Sequence, residues 1–315
     1  MTVFDAFIQG VVQGLTEFLP VSSSGHLTIT QHILGVGEDN LFFSVMLHIG
    51  TLVAVCAFYH RLLRRLIVEF FRMIRDIFTG RFRFREMSHD RRMIVMLIIG
   101  LLPLFLLFVP IPGTDLKVKD LADLFTSARY FIVVGISLLM TSVLLLLGDI
   151  RNRSLRDSAM KHAVLSENGA GRTEMNVVDA LVVGFVQCCA AVLPGLSRSG
   201  STLSAGEMRG VNRQTAFDYT FVIAIPSIIA AAVLECKDAL SSPGGLSVGV
   251  VPIVVGMVTA AVVGYLSIVL FKWLLKTDKM FVFILYTAVV GVAVIVVSII
   301  EMHTGVNLFT AVPLT

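Results

Sequence analysis

Six stretches of this chain are apolar for long enough to cross a lipid bilayer as helices: approximately 41–59, 93–110, 130–148, 217–235, 248–270 and 281–300. A spanning helix takes about 20 residues, because the hydrocarbon layer is about 30 Å thick and each residue rises about 1.5 Å. Composition agrees. Of 315 residues, 56% are hydrophobic and 15% charged, where a soluble chain carries about a quarter charged. Mean hydropathy is +0.87. These values exclude a disordered chain, a nucleic-acid-binding coat and an ordinary soluble enzyme, and the expected fold class is an all-α polytopic membrane protein. Cys56, Cys188, Cys189 and Cys236 lie in or beside apolar stretches. They show neither zinc spacing nor a Cys-x-x-Cys pair, so they read as buried thiols. The first 60 residues hold no Lys or Arg, so a cleavable signal peptide with a basic start is not expected.

Two further apolar stretches, 5–19 and 177–193, run only to a Leu-Pro and then enter Ser/Gly-rich turns. They are too short to span and too apolar for surface loops. They predict re-entrant helical hairpins, which membrane depth tolerates only where protein or a wet cavity receives the backbone. Charge sets the direction of the chain. The stretch 60–92 holds ten Arg (Arg61, Arg64, Arg65, Arg72, Arg75, Arg81, Arg83, Arg85, Arg91 and Arg92), 149–176 holds five basic residues, and 271–280 holds three. The alternate connections are poorer: 111–129 holds Lys117, Lys119 and Arg129, and 236–247 only Lys237. The positive-inside rule makes the basic connections cytoplasmic and places both termini outside. The Arg cluster then reads as an anchor near anionic lipid, with no nucleic-acid partner.

The two short segments repeat each other. At an offset of 174, Asp5, Ala6, Gly10, Val12, Gln13, Leu19 and Pro20 match Asp179, Ala180, Gly184, Val186, Gln187, Leu193 and Pro194. After a one-residue insertion, Ser22, Ser24 and Gly25 match Ser197, Ser199 and Gly200. Three spans follow each copy. Three is odd, so the second copy is inverted relative to the first. The expected domains are a first repeat over 1–148, a cytoplasmic linker over 149–176 that reads as a flexible insert, and a second repeat over 177–315, together one membrane domain. The two polar turns are expected to meet near the middle of the membrane.

Those turns carry the chemistry. The first runs from Gln13 through Glu17, Pro20, Ser22, Ser23 and Ser24 to Gly25-His26; the second runs from Pro194 through Ser197, Arg198, Ser199, Gly200 and Ser201 to Thr202. Gln13 and Glu17 are four apart and share a helix face. In the second copy Ala190 and Ala191 replace Thr16 and Glu17. One turn thus offers carboxylate, hydroxyls and imidazole, and the other guanidinium and hydroxyls. That asymmetry suits phosphate chemistry. A guanidinium holds phosphate oxygens with a planar fork of donors, and N–H groups at a helix start add neutral donors. A Ser hydroxyl is a nucleophile if a base such as His26 lies within reach. Glu17 serves as a base or holds a hard divalent cation. Ser22 and Ser24 read equally well as packing groups. His48 and Thr51 read as packing or supporting groups, Glu207, Arg209 and Arg213 as anchors near the inner interface, and Asp5 and Asp179 as helix caps. His32, His60, His89, His162 and His303 receive no role. Inverted repeats with broken helices are equally the anatomy of transporters, so a prenyl-phosphate transporter or flippase stands as the alternative.

At these residues the chain resembles the undecaprenyl-diphosphate phosphatase family, also called the bacitracin-resistance protein family. The resemblance rests on Gln13 to Glu17, on Pro20 to His26, on Pro194 to Thr202, and on Asn212-Arg213 and Ala224-Ile225-Pro226. It implies an enzyme that hydrolyses undecaprenyl diphosphate to undecaprenyl phosphate and inorganic phosphate, recycling the lipid carrier for cell-wall synthesis. It also implies a multi-pass protein of the bacterial cytoplasmic membrane with its site open to the outer face, and a divalent cation, Mg²⁺ or Ca²⁺, with Glu17 as its ligand. Bacitracin would act on the shared substrate and not on the protein. Carried over residue by residue, the catalytic set is Ser23 as nucleophile, His26, Glu17 and Arg198. Gln13, Ser22, Ser24, Ser197, Ser199, Gly200 and Thr202 would bind substrate. The family's first acid position holds Gln13, so a single carboxylate must carry the acid/base or metal role. The expected mechanism has Ser23 attack the terminal phosphorus while His26 removes its proton, with phosphorylation of His26 itself as the competitor. Gly-rich spans such as 248–270 permit close packing and so a homodimer.

Overall fold

The computed structural model describes residues 1–34, 41–81, 83, 86–126, 130–161, 170–241 and 249–312; Arg85, Arg129, His162 and the 162–169 part of the expected linker lie outside them. Among the described residues the chain is helical, with no strand beyond two isolated bridges. The helices are α1 (Val3–Phe18), α2 (Ser23–Leu34), α3 (Leu41–Phe58), α4 (His60–Phe78), α5 (His89–Leu101), α6 (Asp120–Thr126), α7 (Phe131–Lys161), α8 (Val177–Val192), α9 (Arg198–Met208), α10 (Arg213–Ser241), α11 (Val250–Lys276) and α12 (Phe281–Thr304).

Among the described residues, five segments are long and apolar enough to cross a membrane: His89–Phe108, Phe131–Lys161, Arg213–Leu234, Val250–Lys276 and Phe281–Thr304. The sixth expected span is α3. It is followed at once by α4, and the chain bends there by 84°. The chain is thus a multi-pass membrane protein. The span that opens with α5 continues as a 3-10 segment over Leu102–Phe108, where Pro103 lacks the N–H that an α-helix would use. The two short apolar stretches are α1 and α8, each broken from its second arm, α2 or α9, at the Leu-Pro. Two features lay outside the sequence reading. One is α4, a helix within the Arg-rich connection. The other is the length of α7, which carries the first part of 149–176 as helix through Lys161. Residues 170–176 are also held, because Arg172 pairs with Asp179 and exchanges backbone hydrogen bonds with Gly210 and Asn212.

Repeated residues make repeated contacts. Thr2 and Asp5 form a reciprocal capping box at the start of α1, and Asn176 and Asp179 form the same box at α8. Asp5 and Asp179 therefore act from the third helical position, with Thr2 and Asn176 as the caps. Gly10 of α1 packs on α11, where an added Cβ would come 2.6 Å from the Gly256 carbonyl oxygen. Its counterpart Gly184 of α8 packs still more tightly on the Gly100 carbonyl of α5. Gly135 of α7 and Gly291 of α12 face each other: a Cβ on either would lie 2.9 or 3.0 Å from the other's carbonyl oxygen. Small residues permit this backbone approach where lipid supplies no hydrophobic drive between helices. Phe18, Phe217, Phe221, Phe271 and Phe283 form an aromatic part of the buried core.

Candidate active site

The site forms where the two broken helices cross. α1 leaves the helical conformation at Leu19, Pro20 blocks its continuation, and Ser22 takes a left-handed backbone with φ 73° before α2 starts at Ser23. A β-substituted residue in that region costs on the order of 1 kcal/mol and is held there by its surroundings. Gly195 makes the corresponding reversal in the second turn, with φ 95°. There Thr141 of α7 accepts from the Ser197 N–H at 2.9 Å, and its hydroxyl lies 3.0 Å from the Gly195 carbonyl oxygen. The turns touch at their glycines. A Cβ on Gly25 would lie 2.9 Å from the Gly195 Cα, and one on Gly200 3.0 Å from the Pro20 Cβ. The Ser199 hydroxyl ties them by donating to the Leu19 carbonyl at 3.1 Å.

Glu17, only 5% exposed, is the centre of the arrangement. The Ser23 hydroxyl donates to its Oε2 at 2.7 Å and the Gln13 amide at 3.0 Å, while Arg198 pairs with its Oε1. His48 Nε2 of α3 stands 3.9 Å from Oε2. A carboxylate this buried is stable only with such partners. The starts of α2 and α9 thus meet at one carboxylate, and helix N-termini favour anions. Together they bring a hydroxyl, a carboxylate and a guanidinium to one point.

His26 does not meet Ser23 in this arrangement. Its Nδ1 is 2.8 Å from the Ser22 carbonyl oxygen, and its Nε2 is 2.7 Å from the Tyr286 hydroxyl. A carbonyl only accepts, so Nδ1 carries the proton and Nε2 accepts from Tyr286. The rings of His26 and Tyr286 also stack, with centroids 5.6 Å apart. The base in contact with the Ser23 hydroxyl is therefore Glu17. The reason is local: the i−4 bond to Ser22 turns the imidazole away from the carboxylate. Tyr286 lies in the apolar α12 and is invisible to motif reading; only its aromatic type within a span hinted at it.

The remaining expected residues divide. Ser24 is exposed at the mouth, with Oγ 3.3 Å from that of Ser22. Ser22 and Ser197 each accept from the N–H of the glycine three residues on, Gly25 and Gly200, at 3.2 Å in both cases. Ser197, Ser199 and Thr202 are buried. Thr202 bonds the Arg198 carbonyl of its own helix at 2.7 Å, so its hydroxyl shapes α9. Away from the crossing, Arg213 joins Asp149 (2.8 Å), Glu207 (2.5 Å) and Asp278 (3.1 Å) in a largely buried ion network. His32, which received no role, is buried against Glu301 at 2.9 Å and stacks on Phe131.

No group of three or more His, Cys, Asp or Glu able to hold a metal occurs among the described residues. Both oxygens of Glu17 already have protein partners. The donor set suits a hard cation only in the mode that uses one carboxylate together with oxygens of a bound phosphate.

The family model described as bacitracin resistance protein BacA matches residues 6–293. Among curated proteins, the chain is 37% identical over 302 residues to the undecaprenyl-diphosphatase of Alkaliphilus metalliredigens, covering 95% of this chain and all of that protein. It is 33% identical to the undecaprenyl-diphosphatase of Methanosphaera stadtmanae (95% and 99% covered) and 32% to that of Halothermothrix orenii (95% and 99%). With the same fold-spanning match and the motif residues gathered at one carboxylate, the chain belongs to the bacitracin resistance protein BacA family.

Proposed function

We propose that this chain is an undecaprenyl-diphosphate phosphatase, releasing undecaprenyl phosphate and inorganic phosphate. The observation that carries the reading is the Glu17 carboxylate held between Ser23 and Arg198, a hydroxyl and a guanidinium delivered by two separate turns. A lipid-phosphate carrier needs the guanidinium; it does not need a hydroxyl hydrogen-bonded to a buried base.

In this reading the terminal phosphate enters against Arg198 and the starts of α2 and α9. The Ser23 oxygen attacks the terminal phosphorus as its proton passes to Glu17. The anhydride P–O bond breaks, and undecaprenyl phosphate leaves with the bonding electron pair. Water then attacks the phosphoserine, losing a proton to a neighbouring base, and the Ser23 oxygen recovers its proton from Glu17 as inorganic phosphate departs. Such transfers need chiefly positioning and charge neutralisation. His26, with Nδ1 held by the Ser22 carbonyl and Nε2 by the Tyr286 hydroxyl, would serve as that base once Tyr286 releases Nε2. A divalent cation, Mg²⁺ or Ca²⁺, would be held by Glu17 with the diphosphate oxygens and would neutralise their charge. Gln13 and Ser24 complete the substrate contacts, and Ser22, Ser197, Ser199, Gly200 and Thr202 shape the turns.

The repeat organisation, 1–148 and 177–315 inverted about 149–176, is supported by the matched capping boxes and glycine contacts. The charge pattern supports cytoplasmic placement of the basic connections; the family resemblance implies a cytoplasmic-membrane location with the site opening outward. The test is phosphate release from undecaprenyl diphosphate by detergent-purified protein, with and without EDTA, beside Glu17→Ala and Arg198→Ala. Release abolished by both substitutions supports the hydrolase. No release by folded wild-type protein, with retained prenyl-phosphate binding, would transfer the reading to transport. Rapid-quench trapping decides the intermediate: label stable in acid and lost in strong base is phosphoserine, and acid-labile label is phosphohistidine on His26.

A further inference from the structure

α4 follows the apolar α3 at 84°, so with α3 crossing the bilayer α4 would lie near the membrane plane. Its residues divide into three faces. Leu66 and Met73 are buried against the protein. A second face is apolar and bare: Ile67 is 57% exposed, Phe71 65% and Phe78 87%. A third carries Arg61, Arg64, Arg72 and Arg75, all exposed. At 100° per residue, the bare apolar positions and the arginines lie side by side on the wheel, roughly a quarter-turn apart.

The helix cannot roll to hide either face. Arg91 of α5 clamps it, with Nε on Glu69 and an Nη on Asp76, each at 2.8 Å. This clamp also takes up the helix's own two acids. Arg72 and Arg75 keep only looser contacts with those acids, 3.7 and 3.3 Å, and among the described residues Arg61 and Arg64 have no ion-pair partner. The cavity of about 140 Å³ beside α4 differs. Its Arg92 is paired with Glu174, and its Asp218 accepts from Tyr59 and Gln214. The uncompensated positive charge thus belongs to the stripe.

We propose that α4 is an interfacial helix that binds anionic phospholipid, its Phe71–Phe78 face among the acyl chains and its arginine stripe on the phosphodiesters. A basic amphipathic helix with bulky apolar residues takes this position, and each basic residue near an anionic surface favours binding by several-fold. The occupant is a lipid surface and not a partner protein, because the charge excess lies beside the bare apolar face and not within it.

The test uses the full chain in nanodiscs. Spin-labelled phosphatidylglycerol and phosphatidylcholine report which lipid the protein immobilises. The expected preference for phosphatidylglycerol is about three- to tenfold, weakened at 0.5 M salt. It should fall below about twofold in the combined Arg61→Gln, Arg64→Gln, Arg72→Gln and Arg75→Gln variant, whose phosphatase activity reports its folding. Equal retention of both lipids by the wild type, or an undiminished preference in the folded variant, overturns the proposal. Depth is read separately. With the sole tryptophan removed (Trp273→Phe), Phe71→Trp fluorescence should be quenched by acyl-brominated lipid and not by aqueous acrylamide. Quenching by acrylamide, or protection from both quenchers, overturns lipid as the occupant.

Discussion

The first and second turns are built on one plan and end in different chemistry. Ser22 and Ser24 are mirrored by Ser197 and Ser199, with hydroxyls 3.3 Å apart in each pair. The glycine N–H to serine bond is 3.2 Å in each. His26 aligns with Ser201, and both side chains bond the carbonyl four residues back. Between the paired serines, Ser23 aligns with Arg198, and both reach Glu17. The scaffold is shared, and the divergence is confined to side chains that leave it: a hydroxyl against a guanidinium, an imidazole against a hydroxyl, and Glu17 against Ala191. Gln187, the counterpart of Gln13, accordingly donates to Ser227 in place of a carboxylate. Two matching helix starts meet at the Glu17 carboxylate, and different residues at equivalent positions give one turn the hydroxyl and carboxylate and the other the guanidinium.

Predictions against this comparison begin with Glu17→Gln and Arg198→Ala. Each should lower phosphate release at least about 100-fold. Because they act as one unit, the double variant should fall far short of the product of the two losses. Full multiplicativity would show that the two turns work independently. Next come Gly25→Ala and Gly200→Ala. Each pushes a methyl into the facing turn and should cost about 1–3 kcal/mol in thermal unfolding; a cost at one position alone would break the symmetry of the crossing. Tyr286→Phe removes the hydroxyl from His26 Nε2 and keeps the stacked ring. Loss of one hydrogen bond of about 1 kcal/mol corresponds to roughly a fivefold fall in kcat with KM little changed. Ser201→Ala, at the position matching His26, should change stability and leave kcat alone.

The smallest effect separates the two capping aspartates. Asp5 is exposed and bonds only Thr2, whereas Asp179 is buried and also holds Arg172 and Arg209. Burial pushes the Asp179 carboxyl up, but the Arg172 and Arg209 guanidiniums and the Asn176 N–H more than offset it and hold it below the ordinary carboxylate range. A depressed folded pKa gives stability that is full above the unfolded value, about 4, and is lost as pH falls through the folded one. Asp179→Asn should therefore destabilise more than Asp5→Asn at pH 7, and the gap between wild type and Asp179→Asn should close below about pH 4. A gap independent of pH would assign Asp179 a packing role.

Much of this was legible beforehand. Apolar runs of bilayer length, the Leu-Pro breaks and the offset repeat are properties of neighbouring residues, and lipid leaves a backbone few alternatives to a helix. The gathering of Glu17, Ser23 and Arg198 followed from the repeat. The partner of each group did not. Two corrections mark the limit: Glu17 and not His26 touches the Ser23 hydroxyl, and Tyr286, 260 residues from His26, takes the imidazole. Helix α4 was hidden because its arginines masked its apolar faces in any average along the chain. What residue order alone determined was the set of apolar helices, where the two short ones break and which residues sit at the breaks, since each depends on local hydrophobicity and backbone chemistry. Which hydroxyl meets which base was decided by the crossing of the turns, where contacts of about 3 Å depend on how distant helices pack.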